Sequence, residues 1–191
     1  MLTATRVCPF WIGYLLISPV RTFLQNAEKI LNPYITSGMR VLDIGCGMGF
    51  FSLPMAGMVG STGKVLCIDI QKKMIHSLEK RAKKAGLSDR IETHVCPQNS
   101  LGLQDLHEDV DFALAFAVIH EVPRVHQFFS EVNKALKPSG ILLIAEPKGH
   151  VSKKTFDTTI AVAQQYGFKG VSAPKIWRSR TILLRKGAII G

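Results

Sequence analysis

The chain has 191 residues, 47% hydrophobic and 20% charged, which suits one packed domain and excludes a disordered chain. Lys and Arg outnumber Asp and Glu by 24 to 14, and the resulting charge of +10 permits an anionic partner without demanding one. Cys8, Cys46, Cys67 and Cys96 are widely spaced with no C-x-x-C pair, which argues against a zinc site or disulfide scaffold and predicts reduced thiols in a cytoplasmic protein.

The apolar stretch from Cys8 to Val20 is too short to span a bilayer. Only Arg6 precedes it and no small-x-small cleavage site follows, so it does not read as a signal peptide. Val20 to Ile35 predicts a helix with Leu24, Ala27, Ile30 and Leu31 on one side. Residues 1–39, with the apolar run Pro9 to Leu16, are expected to form a helical lid over the carboxyl edge of a sheet, and residues 40–191 one folding unit. From Arg40 onward, buried-type strands alternate with helices. Strands are expected at 40–45, 64–69, 90–95, 110–116 and 140–146, with two closing strands near 169–173 and 181–185. Helices are expected at 50–57, 71–85, 98–106 (short), from Val125 to before Pro138, and from a Ser152 cap to Tyr166. The alternation predicts an α/β fold with a doubly wound, Rossmann-like parallel sheet and helices on both faces. The stretch 71–90 carries seven Lys and Arg, and its helix is expected to present a solvated basic face rather than a nucleic-acid stripe.

The strongest local signal is Asp43-Ile-Gly45-Cys46-Gly47-Met-Gly49, placed where the first strand turns into a helix. Glycines let a ligand approach the backbone, and N–H groups at a helix start favour an anionic group. Asp69 ends the next strand, the position from which an acid accepts ribose hydroxyls in doubly wound folds; capping of the following helix is its plainer alternative. Ile70 is placed to pack on an adenine face. Nicotinamide dinucleotide and S-adenosylmethionine both suit this outline, and glycine spacing separates them. The dinucleotide fingerprint is G-x-G-x-x-G. This loop is G-x-G-x-G, with Phe50 at the place of the third dinucleotide glycine. Asp43 is placed to meet a methionine amino group, directly or through water.

At these residues the sequence resembles the class I S-adenosylmethionine-dependent methyltransferases, closest to the small type 11 group, which is similar to the ubiquinone/menaquinone C-methylases. Val41–Phe50 and Lys64–Asp69 resemble the first two motifs of the family. Asp109–Phe116 resembles the fourth-strand motif, and Leu136–Glu146 the loop into strand five. The resemblance covers about residues 36–186. It implies a seven-stranded sheet with an antiparallel last strand. It implies S-adenosylmethionine as donor and S-adenosylhomocysteine as product. Gly45, Gly47 and Gly49 would line the methionine part, Asp69 the ribose, and Ala115 and Phe116 the methionine end. The family often carries an acid for the adenine amino group after strand three. Here Pro97 stands in its place, with Gln98 and Asn99 beside it and Gln98 as the substitute.

The acceptor side is less determined. The nucleic-acid N-methyltransferase motif of an Asn or Asp followed by two prolines and an aromatic is replaced by Ala117-Val-Ile-His-Glu-Val-Pro123. His120 and Glu121 are the candidate catalytic residues, with a plain loop as the alternative. Glu146, Lys148 and His150 form a second candidate set. No cluster has metal-ligand spacing. Phe10, Trp11 and Tyr14 suit an aromatic acceptor or a packed lid. The expected function is methyl transfer to a small-molecule acceptor by in-line displacement. An RNA or protein methyltransferase, with nucleic acid permitted by the charge but not favoured, is the first rival. A non-catalytic S-adenosylmethionine-binding module is the second, and a nicotinamide dehydrogenase a distant third. The sequence assigns no oligomeric state.

Overall fold

The computed structural model describes residues 25–187. Most of the expected lid, with Phe10, Trp11 and Tyr14, lies outside the described residues. Seven strands follow the order β3-β2-β1-β4-β5-β7-β6. The chain divides after Cys96 into two compact units.

The first unit holds α1 (Ala27–Leu31), β1 (Arg40–Ile44), α2 (Ser52–Met58), β2 (Lys64–Asp69), α3 (Lys72–Lys84) and β3 (Ile91–Val95). Of the expected 20–35 helix, the described residues from Gln25 onward show five helical ones, 27–31, started by the Asn26 side chain accepting from Lys29 N. Asn32 keeps helical angles, but Pro33 has no N–H to donate to Lys29 O, so the ladder is interrupted before Ile35. The strands β1, β2 and β3 pair in parallel, with Asp43 opposite Cys67 and Asp69 opposite Val95. Val41 and Leu42 point to opposite faces, and both are fully buried, so β1 is covered on both sides. Met74, Ile75, Leu78 and Ala82 bury the inner face of α3. Gly86 follows this helix at φ 68°, a left-handed stop that glycine adopts without Cβ strain.

The second unit holds β4 (Val110–Phe116), α4 (Val125–Ala135), β5 (Leu136–Pro147), α5 (Lys153–Gln165), β6 (Phe168–Ser172) and β7 (Ser179–Lys186). β4 and β5 are parallel, while β7 runs antiparallel to both β5 and β6. The antiparallel last strand is thus as expected. β5 begins four residues earlier than expected, and its register against β4 slips between Val110 and Phe112. Ser139, at φ 62°, takes the chain through that irregularity. Ser152 caps α5 by accepting from Thr155 N at 3.0 Å. Phe128, Phe129 and Phe168 are buried together, with ring centroids 5.1 and 6.0 Å apart.

The expected 98–106 helix is absent. Glu131 on α4 takes the backbone of this stretch instead: its Oε2 accepts from Leu101 N at 2.7 Å and from Ser100 Oγ at 3.2 Å. Gln127 donates to the other oxygen at 2.7 Å. A carboxylate that satisfies backbone N–H competes directly with helical bonding.

The basic face of α3 needs one correction. Lys72, Lys73, Lys80, Lys83 and Lys84 are exposed, but Arg81 is half-buried and donates to the carbonyl of Met48. Arg90, after the helix, donates to Ala56 O at 3.1 Å. Two of the seven cations are therefore spent inside the fold.

Candidate functional site

In the first unit the glycine loop is built by three left-handed turns of the backbone. Gly45, Gly47 and Gly49 have φ of 71°, 54° and 84°. The loop is tied to the end of β2, where Ile68 O accepts from Gly45 N at 2.8 Å and from Cys46 N at 3.1 Å. Asp69, nearly buried, accepts from Gly47 N at 3.0 Å through Oδ2 and from Gln71 N at 2.8 Å through Oδ1. Helix capping was the plainer reading of Asp69, but the residue that caps α3 is Gln71. Burial raises the Asp69 pKa, and the two backbone N–H groups oppose that rise.

The glycines serve different ends. A Cβ on Gly49 would sit 2.3 Å from Leu78 Cδ1, so this glycine lets α3 pack against the loop. A Cβ on Gly47 would meet nothing within 4 Å. Its direction is open, and that is the backbone approach a ligand requires.

Asp43 is 2% exposed and accepts from Ser52 Oγ at 2.5 Å, a partner the sequence reading missed. Cys46 is buried, and desolvation, followed by its hydrogen bond with Cys67, pushes its thiol pKa well up. A thiol so held is no nucleophile. Ile70 and Val95 are exposed apolar residues, at 39% and 41%, just after β2 and at the end of β3. Ile70 was expected at the ligand; Val95 was not. An exposed valine opposite Asp69 follows from the β2–β3 register, which sequence alone does not supply.

In the second unit Pro97, Gln98 and Asn99 are exposed and form a turn, closed by Ser100 N donating to Pro97 O at 3.3 Å. Ala115 is fully buried opposite Ile144, and Phe116 is half-buried. The chain leaves β4 through Ala117, a non-glycine residue at φ 56°. Such strain persists only where surrounding bonds impose it. Here Ala117 N donates to Ala145 O at 2.7 Å, and Val118 N and Ile119 N donate to Glu146 Oε1 at 3.1 and 3.0 Å.

The same glutamate, 2% exposed, reaches the candidate base: Glu146 Oε2 lies 2.5 Å from His120 Nδ1. Glu121 Oε1 stands 3.9 Å from His120 Nε2, and the His150 ring meets the His120 ring edge-on at 5.9 Å. Two candidate sets, read separately from sequence, are thus one cluster. Lys148 and His150 are both exposed; Lys148 joins through its backbone alone, its N donating to Arg178 O at 2.9 Å. His120 has a raised pKa, chiefly from the Glu146 hydrogen bond, with burial opposing.

A family model described as a methyltransferase domain matches residues 35–179. The chain belongs to this methyltransferase family. A ubiquinone biosynthesis O-methyltransferase from Bradyrhizobium diazoefficiens is 27% identical over 140 residues, which are 73% of this chain and 51% of the relative. A ubiquinone/menaquinone biosynthesis C-methyltransferase from Pseudomonas entomophila is 30% identical over 126 residues, 64% of this chain and 48% of the relative. The chain spans about half the length of these curated relatives. Among solved structures, a SAM-dependent methyltransferase from Aquifex aeolicus matches with a TM-score of 0.82 at 24% identity, covering 94% of this chain and all of that one. The [4+2]-cyclase SpnF matches at 0.71 and 16% identity, covering 85% and 81%. At these identities the structures bear on the fold, which is that of the class I enzymes.

The methyl donor of this class is S-adenosylmethionine. The first unit fits it. The direction over Gly47 is open, the Asp69 carboxylate accepts hydrogen bonds, and Ile70 offers an exposed apolar surface beside it. No helix among the described residues is long and apolar enough to cross a membrane.

Proposed function

We propose that this methyltransferase transfers the methyl group of S-adenosylmethionine to a small-molecule hydroxyl. The observation that carries the donor assignment is the open Cβ direction of Gly47 beside the buried Asp69 carboxylate. When bound, the donor supplies a sulfonium-activated methyl group. Asp69 accepts ribose hydroxyls, Ile70 serves the adenine, and the 43–49 loop borders the methionine part. Asp43, already bonded to Ser52, contributes charge near the amino group. Positioning provides most of the acceleration in such a displacement. A hydroxyl acceptor must also lose its proton, and His120 takes it at Nε2.

The O-methyltransferase names among the relatives support a hydroxyl acceptor. The C-methyltransferase name supports carbon as a second reading, in which His120 orients an acceptor that needs no base. RNA is disfavoured because Arg81 and Arg90 serve carbonyls inside the fold. Buried Cys46 and Cys67, held as thiols, suit a cytoplasmic setting.

The test begins with calorimetry. S-adenosylmethionine and S-adenosylhomocysteine are expected to bind, and NAD is not. Methyl-labelled donor is then offered with a pool of phenolic metabolites and, separately, with RNA. Label in the phenolic pool supports the reading. Label confined to RNA, or tight NAD binding, overturns it.

A further inference from the structure

The His120 contacts determine more than proximity. Glu146 Oε1 is occupied by the two backbone N–H groups of Val118 and Ile119. Its other oxygen faces His120 Nδ1 at 2.5 Å. A carboxylate has no proton to donate, so the hydrogen of this bond belongs to the imidazole. A neutral imidazole carries one N–H, and with that N–H on Nδ1 the lone pair is on Nε2. The nearest acid to Nε2 is Glu121 at 3.9 Å, outside hydrogen-bond range. The His120 side chain is 21% exposed, so an outside group can reach it.

We propose that Glu146 is a positioning residue that holds neutral His120 in its Nδ1-protonated tautomer, with Nε2 as the proton acceptor. This rests on the methyl-transfer reading for its use but not for its measurement. In that use, the acceptor O–H bond breaks, its proton forms a bond to Nε2, and the oxygen electron pair is freed for the methyl group. The resulting imidazolium is held between Glu146 and Glu121, with the His150 ring as the third titratable neighbour. The raised His120 pKa agrees with this arrangement. The same carboxylate also fixes the strained exit from β4, so base orientation and loop shape depend on one residue.

The experiment is two-bond proton–nitrogen NMR of the full chain labelled with ¹⁵N-histidine, from pH 5.5 to 9, with neither donor nor acceptor. The chain has six histidines, and His120→Gln assigns the signal. Above its midpoint, wild-type His120 is expected to show a protonated Nδ1 and an unprotonated Nε2. Glu146→Gln retains an oxygen for the two backbone N–H groups but turns an NH₂ toward Nδ1. The tautomer should then reverse, and the titration midpoint should fall. An Nε2-protonated wild type, or a Glu146→Gln variant with unchanged tautomer and midpoint, overturns the proposal. Should the variant fail to fold, the wild-type spectrum decides alone. Donor binding is read separately by calorimetry, so failure of the methyltransferase reading leaves the tautomer result standing, and the reverse.

Discussion

Replacing Gly47 and Gly49 by alanine, one at a time, separates packing from ligand binding. Both positions are left-handed, and that conformation costs an L-residue about 1–2 kcal/mol. For Gly47→Ala nothing further is lost within the protein, because the new methyl meets no atom within 4 Å. For Gly49→Ala the methyl arrives 2.3 Å from Leu78 Cδ1. Leu78 is fully buried, so its Cδ1 must shift within a packed interior. Overpacking of this kind adds about 1–3 kcal/mol. Gly49→Ala should therefore lose about 2–5 kcal/mol, a substantial part of the 5–15 kcal/mol typical of a folded domain. Urea unfolding reads this difference. Calorimetry with S-adenosylmethionine should give the opposite ranking: Gly47→Ala remains folded but loses at least about tenfold in affinity, equivalent to about 1.4 kcal/mol. Undiminished donor binding in Gly47→Ala would refute the reasoning for the site. Equal stability of the two variants would refute the packing role of Gly49.

Asp69→Ala should weaken S-adenosylmethionine binding by about 1.5–3 kcal/mol, the usual worth of hydrogen bonds to a charged group, as read by calorimetry. Replacing exposed Lys72, Lys80 and Lys83 together by Gln should change donor affinity negligibly, each surface change being worth about 0.5 kcal/mol or less in stability. Arg81→Gln should instead cost about 1–2 kcal/mol in urea unfolding, because the Met48 carbonyl loses its donor. His120 has a raised folded-state pKa, so its stabilising contribution is complete below the unfolded value of about 6.5 and declines as pH rises through the folded value. Unfolding of wild type and His120→Gln should accordingly differ more at pH 5.5 than at pH 9, and a constant difference would contradict the pKa shift.

The sheet and the glycine loop were legible because their signals are local. Continuous apolar runs such as Leu142–Ala145 are buried on both sides and need no knowledge of their neighbours to be read as strands. The left-handed backbone at 45, 47 and 49 was encoded by glycine itself. The expected helix was carried past Leu31 because an apolar period outweighed Pro33. The 98–106 helix failed because Glu131, far along the chain, supplied the bonds that a helix would have supplied locally.

The candidate acceptor site illustrates the same division at the level of chemistry. His120 was visible as a residue type after a strand, and Glu146 as an acid after another. What joins them is a hydrogen bond across 26 residues of sequence. Arg81 and Met48 are 33 apart, and their contact withdraws a cation from a face that looked uniformly solvated. A single sequence displays donors and acceptors but not which of them the register of parallel strands brings together. β5 lies beside β4 with Ala145 opposite Phe116, and that register delivers Glu146 to the turn that follows β4. The tautomer of His120 is therefore set by strand pairing. A substitution that slipped the β4–β5 register would break the Glu146–His120 bond without altering any residue in the cluster.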